Sequence, residues 1–229
     1  MHVLIVAATE GETEPAVKFF QGKSTHPHLF EFYTTGVGLT ATAAEITRLA
    51  MTHSPDLIIQ AGIAGSFRKE YPIGEVVMVQ SEMIGDMGVW EQDQWKNMTD
   101  LSLLPANAFP YQQSLIPNPY LNSFDFLSLP LATAISVNQI TTDARMIHYW
   151  QQHETQPAIE SMEGAALHEA CRRLQLPFLQ LRAVSNQVGD RNKSNWNIPL
   201  AIDRLNQVLI RLLTRIEKES LHFSTPISS

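Results

Sequence analysis

Short apolar runs alternate with stretches of helical period along the chain, and that alternation is its main structural signal. Residues 3–7 are wholly apolar and predict a buried strand, 30–33 a second and 56–61 a third. Residues 75–79, with 81–84 continuing them, then 132–137 and 178–184 read as further strands. Between them, residues 15–20 predict a helix with Pro15 in its first turn, and 41–51 follow helical spacing through Ala44, Ile46, Leu49 and Ala50. Residues 143–152 form a third helical stretch with Asp143 as N-cap, 163–174 a fourth and 200–218 the last. From about residue 86 to 129 the periodicity breaks, with Pro105, Pro110, Pro117 and Pro119 inside the stretch and Pro130 just past it. Loops of that length in compact domains usually cover a site or bind something. With no internal repeat and no linker, the pattern predicts one α/β domain over residues 1–219. A largely parallel sheet with helices on both faces is expected, followed by a frayed tail over 220–229.

Composition narrows the partners. The 229 residues carry 16 Lys and Arg against 23 Asp and Glu, a net charge of −7, with no basic run or stripe. That balance argues against a nucleic-acid backbone as ligand. A lone Cys171 excludes an intramolecular disulfide, and no Cys/His spacing matches a metal site; His26-Pro27-His28 reads as surface loop. The apolar opening is too short to span a membrane, lacks a basic flank and runs into Thr9-Glu10-Gly11-Glu12. It is therefore expected to be a buried strand of a cytoplasmic protein, with no membrane partner.

In open α/β sheets ligands bind beyond the carboxyl ends of the strands. The unusual residues gather there: Glu10 and Glu12, Gly62 to Ser66, Val137-Asn138, Met162-Glu163 and Ser185-Asn186. A carboxylate with a thioether beside it suits a ribose, a ring of hydroxyls with one apolar face. Glu163 also reads as a solvated cap complementing a helix dipole, Met162 as core filling, and Asn186 as a turn residue bonding its own backbone.

Three blocks resemble the signatures of the nucleoside phosphorylase/nucleosidase superfamily. They are Gly62-Ile63-Ala64-Gly65-Ser66, Glu160-Ser161-Met162-Glu163-Gly164-Ala165-Ala166 and Leu181-Arg182-Ala183-Val184-Ser185-Asn186. Within that superfamily, the run from Val184 through Asp190 and Arg191 to Trp196 is most similar to the futalosine hydrolase group. It departs from the aspartate that methylthioadenosine/adenosylhomocysteine nucleosidases carry where Asn186 stands. The resemblance implies a three-layer α/β/α fold with a mostly parallel, mixed central sheet. It also implies a homo-oligomer, with the 86–129 segment a candidate interface, and no metal or organic cofactor.

The resemblance also implies roles. Phosphorylases present an Arg-assisted phosphate cradle after the first strand, whereas Thr9-Glu10-Gly11-Glu12-Thr13-Glu14 has three carboxylates and no Arg. An acidic turn repels phosphate and can take a proton from water, and Glu12 aligns with the water-activating carboxylate of the hydrolytic branch. Arg68 and Lys69 are the only nearby cations; they are expected on the surface but leave phosphorolysis open, with hydrolysis favoured. Glu163 would hold the ribose hydroxyls and oppose the developing sugar cation, with Met162 on the sugar face. Asn186, beside Ser185, would read the purine edge. Its NH2 donates to a 6-oxo group while its oxygen accepts from a protonated N7, which fits hypoxanthine better than adenine. A flipped amide would pair with adenine, and in either case the N7 proton must come from solvent or a neighbour such as Asp190. Ile140 and Thr141 align with the segment that sandwiches the purine, while Ala64 and Gly65 let backbone approach closely. Trp90, Trp196 and the 86–129 segment would wall the non-purine end, where futalosine carries a benzoate and Arg191 or Lys193 is a candidate partner.

The expectation is thus hydrolysis of the futalosine N-glycosidic bond, releasing hypoxanthine and dehypoxanthine futalosine in menaquinone biosynthesis. The alternative enzyme is a nucleosidase releasing adenine from methylthioadenosine, adenosylhomocysteine or aminodeoxyfutalosine. A different class is dinucleotide binding, because Gly36-Val37-Gly38-Leu39-Thr40-Ala41 fits G-x-G-x-x-A with Asp56 beyond it. A nucleoside-binding regulatory module is another, although such a binder would not need an acid where water attacks. No G-x-S-x-G is present to suggest a serine hydrolase.

Overall fold

A computed structural model describes residues 1–21, 29–153, 155–219 and 221–223. His26-Pro27-His28 and most of the 220–229 tail lie outside the described residues. Ten strands and five α-helices occur among the described residues, in the order β1 (His2–Ala7), α1 (Glu10–Phe20), β2 (Leu29–Thr34), α2 (Leu39–His53), β3 (Leu57–Ser66), β4 (Val76–Ile84), β5 (Gly88–Glu91) and β6 (Gln94–Asn97). Then follow β7 (Ile116–Pro117), a 3-10 helix over Leu121–Leu127, β8 (Leu131–Ser136), α3 (Ala144–Gln152), β9 (Ile159–Ser161), α4 (Gly164–Leu174), β10 (Phe178–Gln187), a short 3-10 turn and α5 (Ile198–Lys218).

The central sheet is mixed. β2, β1, β3 and β10 run parallel side by side, β4 joins β10 antiparallel, and β8 and β9 continue parallel to β4. β9 then returns to pair antiparallel with β3, Gly65 opposite Glu160, so five strands close on themselves. Small and β-branched side chains form the buried apolar cluster of that closure, among them Ala64, Val77, Ala132, Ala134 and Val184. The larger core lies outside it, where β1, β3 and β10 pack through Ile5, Ile59 and Leu181 against Leu205, Leu209 and Leu212 of α5 and Ala16 of α1. β8 buries Ile135 against Trp150 of α3 in a third cluster.

Several elements differ from the sequence expectation. α1 begins five residues before Pro15, because Thr9 and Glu12 form a capping box, and Pro15 therefore lies inside the helix. β3 and β10 continue through the residues that read as turns after them. The 86–129 segment contains the β5–β6 hairpin, β7 and a 3-10 helix, so it is not irregular throughout. Residues 221–223 are docked, with Phe223 against the rings of Tyr120 and Phe124. Asp143 caps α3 as expected, accepting from the Arg145 N–H.

Candidate active site

Strand periodicity prepares the floor of the site. Residues two apart share a face, so Gln60, Gly62 and Ala64 of β3 register with Gln180, Arg182 and Val184 of β10. That face carries polar groups in otherwise apolar strands, and Gln60, Gln180 and Arg182 are all buried. A buried guanidinium needs partners. Arg182 donates through Nη2 to Gln60 Oε1 at 2.9 Å and lies 3.3 Å from Glu163 Oε2, with Glu163 5% exposed.

Glu163 is the N-cap of α4, and its other oxygen accepts from the Gly38 N–H at 3.2 Å. Gly38 caps α2 with a φ of 94°, which glycine adopts readily. The start of α2 is where a dinucleotide-binding fold would put phosphate. Here the protein's own carboxylate occupies that end, which removes the physical basis of the G-x-G-x-x-A alternative.

Glu12 reaches the same floor from α1. Its Oε2 accepts from the Thr9 N–H at 2.9 Å and the Thr9 hydroxyl at 3.2 Å, and its Oε1 from the Ile63 N–H at 3.1 Å. Asn206 of α5 anchors the helix behind it, accepting from the Ala16 N–H and donating to the Glu12 carbonyl oxygen. Gly62 shows how close the groups come: a Cβ there would lie 2.3 Å from Arg182 Nη1 and 3.0 Å from Glu12 Oε1. Glu10 and Glu14 are exposed, and Glu14 pairs with Lys18.

At Ser185 the pairing of β10 with β3 shifts by one residue, and this bulge accompanies the turn of Asn186 toward the cleft. Ser185 Oγ bonds both the Ala64 carbonyl and Asn186 Oδ1, and Asn186 Nδ2 donates to the Gln187 carbonyl. One amide N–H and one lone pair of Asn186 remain for a ligand.

Glu12, Glu163, Ser185 and Asn186 border one cleft of about 400 Å³, with Arg182 behind its lining. Of the residues expected from sequence, Glu12, Ala64, Gly65, Ile140, Met162, Glu163, Ser185 and Asn186 line it. Thr141 does not: it is buried, and its N–H is taken by Glu160 Oε1 at 3.1 Å. Glu160 itself lines the cleft, and burial raises its carboxyl above the usual range although Thr141 pulls it down. Trp196 and Arg191 stand at the mouth, the guanidinium 5.4 Å from the indole centroid. Trp90 instead lies against Arg145 and lines another cavity, and Lys193 is exposed away from the cleft lining. Asp190 lines the cleft, but its oxygens accept from the Asn192 N–H and Asn195 Nδ2, a poor posture for delivering a proton. Arg68 reaches the Pro157 carbonyl oxygen and lines a separate cavity.

Arg182 was not singled out from sequence, although its signal was present: a charge in mid-strand among apolar residues must be buried and paired. Gln60 and Asn206 gave no comparable signal, because their roles arise only from contacts distant in sequence.

Among the described residues no helix is long and apolar enough to cross a membrane. Comparison with known proteins agrees with the geometry. Residues 3–215 match the family model of the phosphorylase superfamily. The chain is 27% identical over 239 residues to a futalosine hydrolase of Streptomyces coelicolor, covering 97% of this chain and 99% of that protein. It is 22% identical over 205 residues to a 5'-methylthioadenosine/S-adenosylhomocysteine nucleosidase of Haemophilus ducreyi, covering 86% and 84% of the two. The solved structure of a Helicobacter pylori futalosine hydrolase shares the fold with a TM-score of 0.80 at 13% identity, covering 94% of this chain and 98% of that one. With a family match over nearly its whole length and a cleft floored by buried, paired carboxylates, this chain belongs to the phosphorylase superfamily as one of its enzymes.

Proposed function

We propose that the enzyme hydrolyses the N-glycosidic bond of futalosine, releasing hypoxanthine and dehypoxanthine futalosine. The observation that carries this reading is the approach of Glu12 and Arg182 over Gly62, with Glu163 held on Arg182 beside them.

Cleavage of the C1′–N9 bond leaves its electron pair on the purine and a cationic, oxocarbenium-like sugar. Catalysis then requires groups placed where that charge develops. Glu163 takes the ribose hydroxyls and opposes the cation, Met162 packs on the sugar face, and Glu12 removes a proton from the water that adds to C1′. Asn186 donates to the 6-oxo oxygen and accepts from N7–H. An amide releases no proton, and Asp190 is turned into its own loop, so solvent at the open cleft supplies the N7 proton. Ile140 covers the base, and Arg191 with Trp196 receives the benzoate. The reading needs no metal or organic cofactor. It places the enzyme in a cytoplasmic menaquinone pathway, as a homo-oligomer with the 86–129 segment at its interface.

The test is incubation of the purified protein, without phosphate, with futalosine, inosine, aminodeoxyfutalosine and methylthioadenosine, following free base by chromatography. Hypoxanthine from futalosine with little from inosine is expected. Adenine release from the amino substrates instead would transfer the enzyme to the adenosine-type branch, and no release without phosphate would overturn hydrolysis.

A further inference from the structure

Behind Glu163 lies a second buried carboxyl that the reaction above does not use. Glu82 of β4 is fully buried and follows a bulge at Gln80 in the pairing with β8. Its Oε2 accepts from Ser136 Oγ at 3.1 Å, and Ser136 Oγ accepts in turn from the Ala165 N–H at 2.9 Å. Gly164 lies so close that an added Cβ would sit 1.8 Å from Glu82 Oε1. The carboxyl therefore supports the two residues that immediately follow Glu163.

The other side of Glu82 decides its protonation. Its Oε1 lies 2.9 Å from the Gln180 amide, whose far end is beside His168. Burial pushes the His168 ring down to about 4, so the ring is neutral at neutral pH, and its Nδ1 lies 2.7 Å from the Ile116 carbonyl oxygen. The one ring N–H is donated there, and Nε2 can only accept. If the Gln180 NH2 served an ionised Glu82, Gln180 Oε1 and His168 Nε2 would both be buried acceptors without a donor. With the amide turned over and Glu82 protonated, the conflict is relieved: Glu82 O–H donates to Gln180 Oε1, and the Gln180 NH2 rather than its oxygen faces His168 Nε2. The charged and titratable neighbours are Arg182 from β10 and Glu163 and His168 from α4. Burial pushes the Glu82 carboxyl up to about 7, Gln180, Arg182 and Ser136 pull it down, and Glu163 pushes it up.

We propose that Glu82, as a neutral acid, is a positioning residue for Glu163. With Ser136 and Gln180 it fixes the first turn of α4, so that the Glu163 carboxylate stays on Arg182 and the Gly38 N–H. Its consequence for turnover rests on the nucleosidase reading above. Ionised, Glu82 adds a second negative charge that competes for Arg182, so activity falls as pH rises through neutrality.

Glu82→Gln reproduces the neutral acid, with an oxygen for Ser136 and an N–H for Gln180; Glu82→Leu does not. The glutamine variant is expected to keep at least roughly half of the wild-type kcat at pH 6 and to lose the alkaline fall near neutrality. The leucine variant should lose about 10- to 100-fold in kcat at every pH, the scale of a misplaced catalytic group. Glutamine as damaging as leucine, or an unchanged alkaline limb, overturns the proposal. Two readouts do not need turnover. Infrared difference spectra at pH 6 should show a protonated carboxyl band that Glu82→Gln removes, and a crystal structure of Glu82→Leu should show Glu163 displaced from Arg182. A missing band or an unmoved Glu163 defeats the proposal whatever the substrate, whereas a wild type that cleaves no nucleoside defeats only the functional reading.

Discussion

The floor and the mouth of the cleft are built on opposite principles. On the floor, Glu12 accepts three hydrogen bonds, and Glu163 is held between a buried guanidinium and a backbone N–H. At the mouth, Val37 is 58% exposed, Ile140 is 44% exposed, and Arg191 is solvated beside Trp196. Fixed dipoles are worth most where charge develops and water is excluded. Exposed groups that meet the rest of a substrate gain less, since solvent competes with them. Chemistry is therefore expected to depend on the floor and substrate choice on the mouth.

The largest effect is expected at Glu12. Glu12→Gln keeps the shape but removes the base, so kcat should fall about 10³-fold with nucleoside affinity retained, measured by single-turnover kinetics and calorimetry. Near-normal turnover would end the assignment of water activation to that residue.

Glu163→Gln comes next. It takes the counter-charge from buried Arg182, and breaking such a pair typically costs about 3 kcal/mol or more. A thermal melt should drop by about 10 °C, and kcat/KM should fall roughly 100-fold. A stable variant with intact KM would show that the ion pair does not organise the floor.

Asn186→Asp, between floor and mouth, should leave stability nearly unchanged. It should shift selectivity toward 6-aminopurines by about 10- to 100-fold, as expected when a buried hydrogen bond worth about 1–3 kcal/mol changes sides. Competition between futalosine and aminodeoxyfutalosine reads this directly, and an unchanged ratio would remove Asn186 from the base site.

The smallest effect is expected at Arg191. Arg191→Ala should raise the futalosine KM several-fold, less at high salt, as for exposed ion pairs worth about 1 kcal/mol or less. An equal rise for inosine, which lacks the benzoate, would mean that Arg191 does not meet that end.

Stability should also report Glu82. Its folded pKa, raised to about 7, lies above that of an exposed glutamate, so the stability linked to its proton is present at low pH and lost as pH rises through about 7. Glu82→Gln should therefore melt higher than wild type at pH 8.5 and no higher at pH 5. The reverse order would contradict a buried neutral acid.

How much was readable from sequence follows from the range of each interaction. The buried strands and the later helices were legible because their signals are local and periodic. The start of α1 was obscured because Pro15 suggested a first turn, although Thr9-x-x-Glu12 is itself a capping-box pattern. The β5–β6 hairpin turns through Gln92 and Asp93, both with positive φ and neither a glycine, so the usual turn marker was missing. Gly62 and Gly65 read as ends of a strand, yet they lie within β3 where Arg182, Glu12, Asn186 and Val188 approach the backbone. Trp90 and Lys193 looked like cleft residues from their neighbours in sequence, and three-dimensional packing carried them elsewhere.

The sequence by itself determined the α/β pattern and several of the groups that line the cleft: the Glu12 and Glu163 carboxylates, the Asn186 amide, the Met162 thioether and small residues at strand ends. Those follow from side-chain type and spacing along a few residues. Only the tertiary structure decided which carboxylates are buried and which are solvated, that Glu163 occupies the start of α2, and that Arg182 supports it from below. It also decided that β9 closes back on β3. Each of these depends on groups brought together from distant parts of the chain, where burial and pairing, absent from any local pattern, set the energy of a charge.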